Sequence, residues 1–474
     1  MLRQHIHTYK QPQTARAPRP EGAAKINTNP QHLMQPLRHM YITFTTESLP
    51  IKLLIVLFWI LPWGLGKHFE LTQAFVAGQA VPYLIPTLYL QDLLVLGIVV
   101  ACVLSTDRKV LAPTAYIRLV GLFLLAALLS LVFAGRLYPS GYFLARQILY
   151  FAFFVLGARL FRTPALRRWL WVALVGNLLL LSLLGLAQFH KQGAVFNNYL
   201  LFGEQPYSIY TPAIPKESYG GVAKLPPHGT FLHPNIFAGY LVLTLTLASS
   251  CFFGGTPRRK LGLAFVTAGC LVVVWLTKSY TAWAACALGF VLTLYTRCVR
   301  TYRLVSIALL AVCSLVVLLG LTLPAYKAWA LAALPADATT SALSVERRAN
   351  LLDAAYSMIG RRPFFGWGVN AFTYSFEPFY TRVTGARFLQ PVHNVYVLMA
   401  AELGLFGAVA FIVLTLYSVY RAARTGRYTY SIALVQVSVF ASFDHYFFTV
   451  PHMQLAFILT LLMSLPYTKT TNCL

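Results

Sequence analysis

Acidic residues are scarce in this chain, with 13 Asp and Glu against 38 Lys and Arg, and charged residues of both signs make up only 11% of its 474 positions. That scarcity excludes several chemistries. There is no DxD triplet to hold a metal-bound nucleotide sugar, no Walker A loop and no HExxH, and "GWGVNA" follows no strand that would make it a dinucleotide fingerprint. A glycosidase wants two positioned carboxylates, and Glu204, Glu217, Asp337, Glu346, Asp353 and Glu377 offer no obvious pairing. The seven cysteines, Cys102, Cys251, Cys270, Cys286, Cys298, Cys313 and Cys473, form no CxxC and are odd in number. Neither a disulfide framework nor a metal site follows from them, and no metal or cofactor is expected.

What is present is apolar length. Hydrophobic residues reach 58% and the mean hydropathy is +0.64, values that belong in a bilayer. Apolar runs near membrane length occur at about 51–66, 88–104, 116–134, 141–161, 166–189, 230–253, 260–277, 281–297, 303–323, 393–420, 429–448 and 453–467. The expected fold is therefore an all-α polytopic membrane protein of about twelve helices. The basic stretches "TDRK" (106–109), "RLFRTPALRR" (159–168), "TPRRK" (256–260), "RCVRTYR" (297–303) and "RAARTGR" (421–427) fall on alternate connections. Positive charge stays inside, so these connections and both termini are expected to be cytoplasmic. Residues 1–48 read as a disordered basic cytoplasmic tail, with Met34 and Met40 as alternative starts, 49–468 as one transmembrane domain, and 469–474 as a second cytoplasmic tail. The formal charge of +25 is taken up by this inside bias and the first tail, so no nucleic-acid partner is expected.

Two long connections then lie outside, 190–229 and 324–392. The first is rich in Gly, Pro and Tyr. The second carries "SVERRANLLDAAYSMIGRRPFFGWGVNAF", which reads as a short amphipathic helix over about 345–360, N-capped by Ser344 and broken after Pro363. Arg347 and Arg348 would then sit in a first turn, where cations oppose the helix dipole and an anionic partner would reverse the sign. Arg361 and Arg362 at the far end are favoured by the dipole.

Polar residues collect at the same outer ends. His233 and Asn235 open the sixth run in "GTFLHPNIFAGYL", Lys278 and Ser279 lie in a tight turn, His393 and Asn394 open the tenth run, and Asp444 and His445 close the eleventh. Arg146 sits about 7–8 Å below the outer start of the fourth. Ionisable groups at membrane depth are costly, which makes each a functional candidate. Glu402 lies nine residues past His393, roughly 13–14 Å deeper on a regular helix, and reads as a buried structural carboxylate, with "GLFG" beside it offering small residues for helix packing.

"SVERRANLLDAAYSMIGRRPFFGWGVNAF" followed by "PVHNVYVLMAAELGLFGAVAF" resembles the signature of the O-antigen ligase and polymerase superfamily, and "GTFLHPNIFAGYL" and "FDHYFFTVPHMQLAFILTLL" resemble its other recurrent segments. The resemblance covers roughly residues 50–468. It implies a membrane glycosyltransferase of the GT-C kind in the bacterial inner membrane, with its site facing the periplasm. Such enzymes move a glycan from an undecaprenyl-pyrophosphate carrier onto an acceptor, among membrane lipids and without nucleotide sugar or metal. One departure is "KSYTAW", where Tyr280 stands in place of an arginine common in the family. Whether Lys278 replaces that charge is open.

The chemistry agrees. Pyrophosphate is already a good leaving group, so the needs are stabilisation of its charge and a base for the acceptor hydroxyl. Guanidinium forks match phosphate oxygens, which assigns Arg347, Arg348, Arg361 and Arg146, with Lys278, to the donor. A neutral imidazole suits the base, which assigns His393, while Asn394, His233, Asn235, Asp444 and His445 would bind substrate or support it. The reaction would be a single inverting displacement. A ligase to lipid A core is the first choice, a polymerase extending carrier-linked glycan the second. A proton-coupled twelve-helix transporter is the rival class, but it would want two similar halves, and these are not apparent.

Overall fold

A bilayer offers no water to backbone N–H and C=O groups, so an apolar run settles there as helix, with its hydrogen bonds kept inside the segment. The computed structural model describes residues 44–105, 112–212, 214–249, 257–299, 301–322, 339–380 and 389–466, and each of the twelve apolar runs holds a helix. These are α1 (Leu49–Ile60), α2 (Leu90–Leu104), α3 (Thr114–Ser130), α4 (Leu137–Gly157), α5 (Pro164–Lys191), α6 (Pro234–Ser249), α7 (Pro257–Leu276), α8 (Tyr280–Cys298) and α9 (Tyr302–Thr322). After α10 (Thr339–Arg361) come α11 (Val395–Arg424), α12 (Tyr428–Phe443) and α13 (Pro451–Ser464). The chain divides into two units, Met1–Glu47 and Ser48–Leu474. Residues 44–47 of the first are described, a turn closed by Glu47 N donating to Phe44 O (3.2 Å). The expected tail over 1–48 thus lies almost wholly outside the described residues, as do 469–474, the basic "TDRK" stretch, and the parts of the second long connection at 323–338 and 381–388.

Five helical segments are long and apolar enough to cross a membrane: Thr114–Phe133, Leu137–Arg162, Leu166–Lys191, Tyr302–Thr322 and Val395–Arg424. Six other apolar helices are shorter. Leu122, Leu125 and Leu128 on α3 and Phe290, Val291 and Leu294 on α8 are exposed, a surface that suits acyl chains rather than water. α12, by contrast, is buried continuously from Ser431 to Ser442 and packs against α8, α9 and α11. The mostly helical build is that of a multi-pass membrane protein.

Hydrogen bonds between distant connections gather one set of helix ends into a single face. Tyr199 Oη donates to Gly64 O (2.5 Å), Arg136 Nη1 to Phe75 O (2.7 Å), Asn370 Nδ2 to Tyr83 O (3.2 Å), and Val369 N to Ser130 Oγ (3.0 Å). Tyr219 Oη reaches Leu276 O. The all-α expectation needs one amendment on this face. Among the described residues, β1 (Gly66–His68) pairs antiparallel with β4 (Thr87–Tyr89), β2 (Phe75–Val76) with β3 (Gln79–Ala80), and β5 (Glu217–Tyr219) with β6 (Val222–Lys224). All three are small two-stranded sheets in connections, and none joins the helical core.

A second amendment concerns α10. It begins at Thr339, not after a cap at Ser344, and runs to Arg361. Arg347 and Arg348 therefore lie in its third turn, beyond the first-turn reach of the dipole, and the dipole argument for an anionic partner does not apply to them.

Candidate functional site

The His-Asn pair before α11 divides two tasks. Asn394 is the helix N-cap: its Oδ1 accepts from Val397 N (3.1 Å), which satisfies an otherwise orphan amide. Its Nδ2 meanwhile donates to Gly320 O (2.7 Å), near the end of α9, and to Ser442 O (3.1 Å), near the end of α12. One amide so ties three helix ends together and fixes where the preceding residue sits. That residue is His393, with Nδ1 3.4 Å from Asp444 Oδ1.

Asp444 caps the C-terminus of α12, and its Oδ1 accepts from the backbone of His445 (2.8 Å). The His445 Nε2 lies 3.9 Å from the same oxygen, and the His393 and His445 rings are 5.0 Å apart between centroids. His445 Nδ1 bonds Thr449 Oγ1 (2.7 Å), its ring meets Tyr83 edge-on at 5.3 Å, and His393 Nε2 bonds Gln390 Oε1 (3.3 Å). His233 precedes α6 and accepts from Asn235 N through its own Nδ1 (3.1 Å). His393, Asp444 and His445 also present ligand atoms that all lie within 4.8 Å of one another, a set able to hold a metal ion.

The electrostatics bind these residues into one system. Burial pushes His393 below its usual 6.5, the Arg348 charge adds to this, and Asp444 opposes it. Burial likewise takes His233 down to about 4 and His445 to about 3. Asp444 goes the other way: burial resists its charge, but His393, His445 and Arg348 together hold its carboxyl below the ordinary range. At neutral pH this leaves one carboxylate among neutral imidazoles, with the Arg348 guanidinium acting on all of them.

The other expected cations have different company. Arg146 Nη2 pairs with Asp92 Oδ2 (3.0 Å), its Nε reaches the same oxygen (3.2 Å), and Tyr142 and the Thr87 carbonyl take further bonds. Its fork is occupied and its charge matched inside the protein. Arg361 lies over Phe379 (4.9 Å), and Arg347 acts on Tyr380. Lys278 adopts φ +55° in its turn, with Nζ 5.1 Å from the Tyr219 ring, 5.2 Å from Trp275 and 6.0 Å from Trp283. Its charge is lodged among aromatic faces, and Tyr280 beside it is exposed.

Glu402 organises backbone. Its Oε2 accepts from Asn370 N (2.9 Å) and its Oε1 from Phe372 N (3.0 Å). Two residues on, Gly404 takes φ +71° and interrupts α11. The interruption frees the Ala401 and Glu402 carbonyls, which accept from Trp367 N and Gly368 N (3.0 Å each), while Leu405 N donates to Pro363 O (2.7 Å). The "PFFGWG" segment is thereby laid along the break at backbone distance. A Cβ on Gly366 would collide with the Glu402 carbonyl, and one on Gly404 with the Phe364 carbonyl. "ELG" and "PFFGWG" are two halves of one joint, which corrects the reading of "GLFG" as a helix-packing stripe.

Residues 263–412, a stretch that holds that joint and the capped His-Asn pair, match the family described as O-antigen ligase. Over that stretch the chain is similar to the O-antigen ligase family. No curated protein matches the chain. The family is one of ligase or polymerase enzymes that use a lipid-linked glycan and an acceptor. Its matched stretch contains α10, the "PFFGWG" joint, His393 and Glu402. Asp444, His445 and His233 lie outside it and are brought to His393 by folding. The sequence reading passed over Tyr83, Gln390, Thr449 and Asp92, all of which touch residues it singled out. "YLQDLL" did carry a signal for Asp92, an acid opening an apolar run.

Proposed function

We propose that this protein transfers a glycan from an undecaprenyl-pyrophosphate carrier to a hydroxyl of lipid A core, on the outer face of the bacterial inner membrane. In this reading all twelve apolar helices cross the bilayer, both termini are cytoplasmic, and the face carrying His393 looks into the periplasm. The observation that carries the proposal is the meeting of His393, Asp444 and the Arg348 charge at that face.

His393 is neutral at neutral pH and takes the proton of the acceptor hydroxyl. The freed oxygen pair attacks the anomeric carbon from the side opposite the phosphate, the bond from that carbon to the phosphate oxygen breaks, and undecaprenyl pyrophosphate leaves with the electron pair. Configuration inverts. Asp444 stabilises the imidazolium that forms, and Arg348, with Arg347 and Arg361 on the same helix, meets the developing charge on the leaving group. No step calls for a metal. A polymerase would share these residues and differ in its acceptor.

The purified protein is incubated with carrier-linked glycan and either lipid A core or a second carrier-linked glycan. Lipid A core should gain the mass of the glycan, and His393→Ala should cut that gain by about 10²- to 10⁴-fold while donor binding persists. Mass gained only by the second carrier-linked glycan would make the protein a polymerase. Unaltered transfer by His393→Ala would remove the base.

A further inference from the structure

We propose that His393 Nδ1, His445 Nε2 and Asp444 Oδ1 form a binding site for a divalent transition-metal ion, best suited to Zn²⁺, and that occupancy of this site arrests transfer. The second half rests on the reading of His393 as base; the first does not.

The tautomer that serves both contacts of Thr449 Oγ1 has the hydroxyl donate to the carbonyl of His445 (3.2 Å) and accept from the ring. His445 Nδ1, 2.7 Å away, is then the N–H, and Nε2 keeps its lone pair. Gln390 Oε1 is an amide oxygen, so His393 Nε2 at 3.3 Å donates to it, and Nδ1 keeps its lone pair. Two imidazole lone pairs and a carboxylate oxygen thus converge, at 3.4 and 3.9 Å along the two edges that meet at Asp444. His393 Nδ1 is buried and makes no well-aligned hydrogen bond to Asp444 Oδ1 at 3.4 Å.

Three electron-rich atoms left facing one another are costly, and a cation among them reverses the sign of the interaction. Zn²⁺ bonds of about 2.0–2.1 Å at tetrahedral angles set ligand atoms about 3.3–3.4 Å apart. The His393–Asp444 edge already has that length, and the wider edges, all within 4.8 Å, close by small side-chain rotations. Two imidazoles and one carboxylate favour Zn²⁺, Co²⁺ or Ni²⁺ over Mg²⁺ and Ca²⁺. Gln390 and Thr449 supply the outer hydrogen bonds that metal-binding imidazoles need for orientation. Arg348 is the opposing charge, acting on all three ligands. A metal on Nδ1 removes the His393 lone pair, and with it the base.

The test titrates the purified full-length protein with CoCl₂ and follows visible d–d absorption. The signal should saturate at one equivalent, be displaced by ZnCl₂ and not by MgCl₂, and vanish in Asp444→Ala and His445→Ala. Thr449→Val, which keeps shape and releases the tautomer, should weaken binding by about 10- to 100-fold, and Arg348→Gln should tighten it. These two report even if the ligand variants do not fold. ZnCl₂ should also raise the unfolding temperature of the unmodified protein and stop transfer until a chelator is added. Absence of a saturable signal, or one of unchanged strength in all four variants, overturns the site. Saturated binding with undiminished transfer overturns the arrest. Saturated binding in a protein that transfers glycan to no acceptor leaves the metal site standing while the transferase reading falls.

Discussion

Burial and the Arg348 charge push His393 below the ordinary histidine value, while Asp444, 3.4 Å from its Nδ1, pulls it back up. The two neighbours therefore predict opposite displacements of the pH profile. The neutral imidazole is the competent form, so transfer should be flat above pH 6.5 and fall on an acid limb below it. Arg348→Gln removes a lowering influence and should move the limb to higher pH. Asp444→Asn removes a raising influence and should move it to lower pH, while the plateau drops by about 10²-fold for want of the imidazolium's counter-charge. A rate profile of the three proteins checks this, and limbs that fail to separate in these directions would disconnect the pair from His393. At this scale the sequence spoke clearly about His393, because a His-Asn pair ahead of an apolar run has few bland explanations. It said less about Asn394, whose role depends on the carbonyls of Gly320 and Ser442, residues 74 and 48 positions away.

The joint between α11 and the "PFFGWG" segment is a backbone device, and its glycines answer to two separate constraints. Gly404 combines φ +71° with ψ −179°, a region essentially closed to residues with a Cβ, and it also faces the Phe364 carbonyl too closely for one. Gly404→Ala should therefore cost at least about 2 kcal/mol, from backbone strain of about 1–3 kcal/mol and an overpacking penalty of similar size. Thermal unfolding of the detergent-solubilised protein measures it, and an unchanged midpoint would mean that the Phe364 carbonyl does not lie against Gly404. Gly262→Ala on α7, with open space around the added carbon, is the matched control. Helix positions were legible because apolar length is a strong signal, and each of the twelve runs holds its helix. The break at Gly404 was not, since the apolar residues continue through it and only the segment packed against it reveals why the glycine is there. The start of α10 was missed for a related reason: Ser344 has the chemistry of a cap, but a cap is defined by the amides it meets, and the helix had begun five residues earlier at Thr339.

Across the whole molecule, the connections on the His393 face and the basic stretches occupy opposite ends of the helices. Arg159, Arg297, Arg303 and Arg424 stand at the ends away from His393, whereas the connections 61–89, 192–233 and 444–450 join the face that holds it. In the proposed topology the His393 face is the outer one, as retention of positive charge in the cytoplasm would have it. α1 is 12 residues long, about 18 Å by helical rise against a core of about 30 Å, so in the proposed topology its passage would be completed by irregular backbone. Gln91 Nε2 meets that need, donating to Ile60 O (3.1 Å) and Trp63 O (2.6 Å), as buried non-helical segments in membranes require. The orientation can be tested directly. In a background with the native cysteines replaced, a cysteine at Tyr210, which is 90% exposed in the 192–233 connection, should react with a membrane-impermeant thiol reagent on intact spheroplasts. A cysteine at exposed Arg424, at the far end of α11, should react only after permeabilisation. The reverse pattern would turn the His393 face toward the cytoplasm, where a periplasmic acceptor cannot meet it, and the ligase reading would fail even with its side-chain chemistry intact.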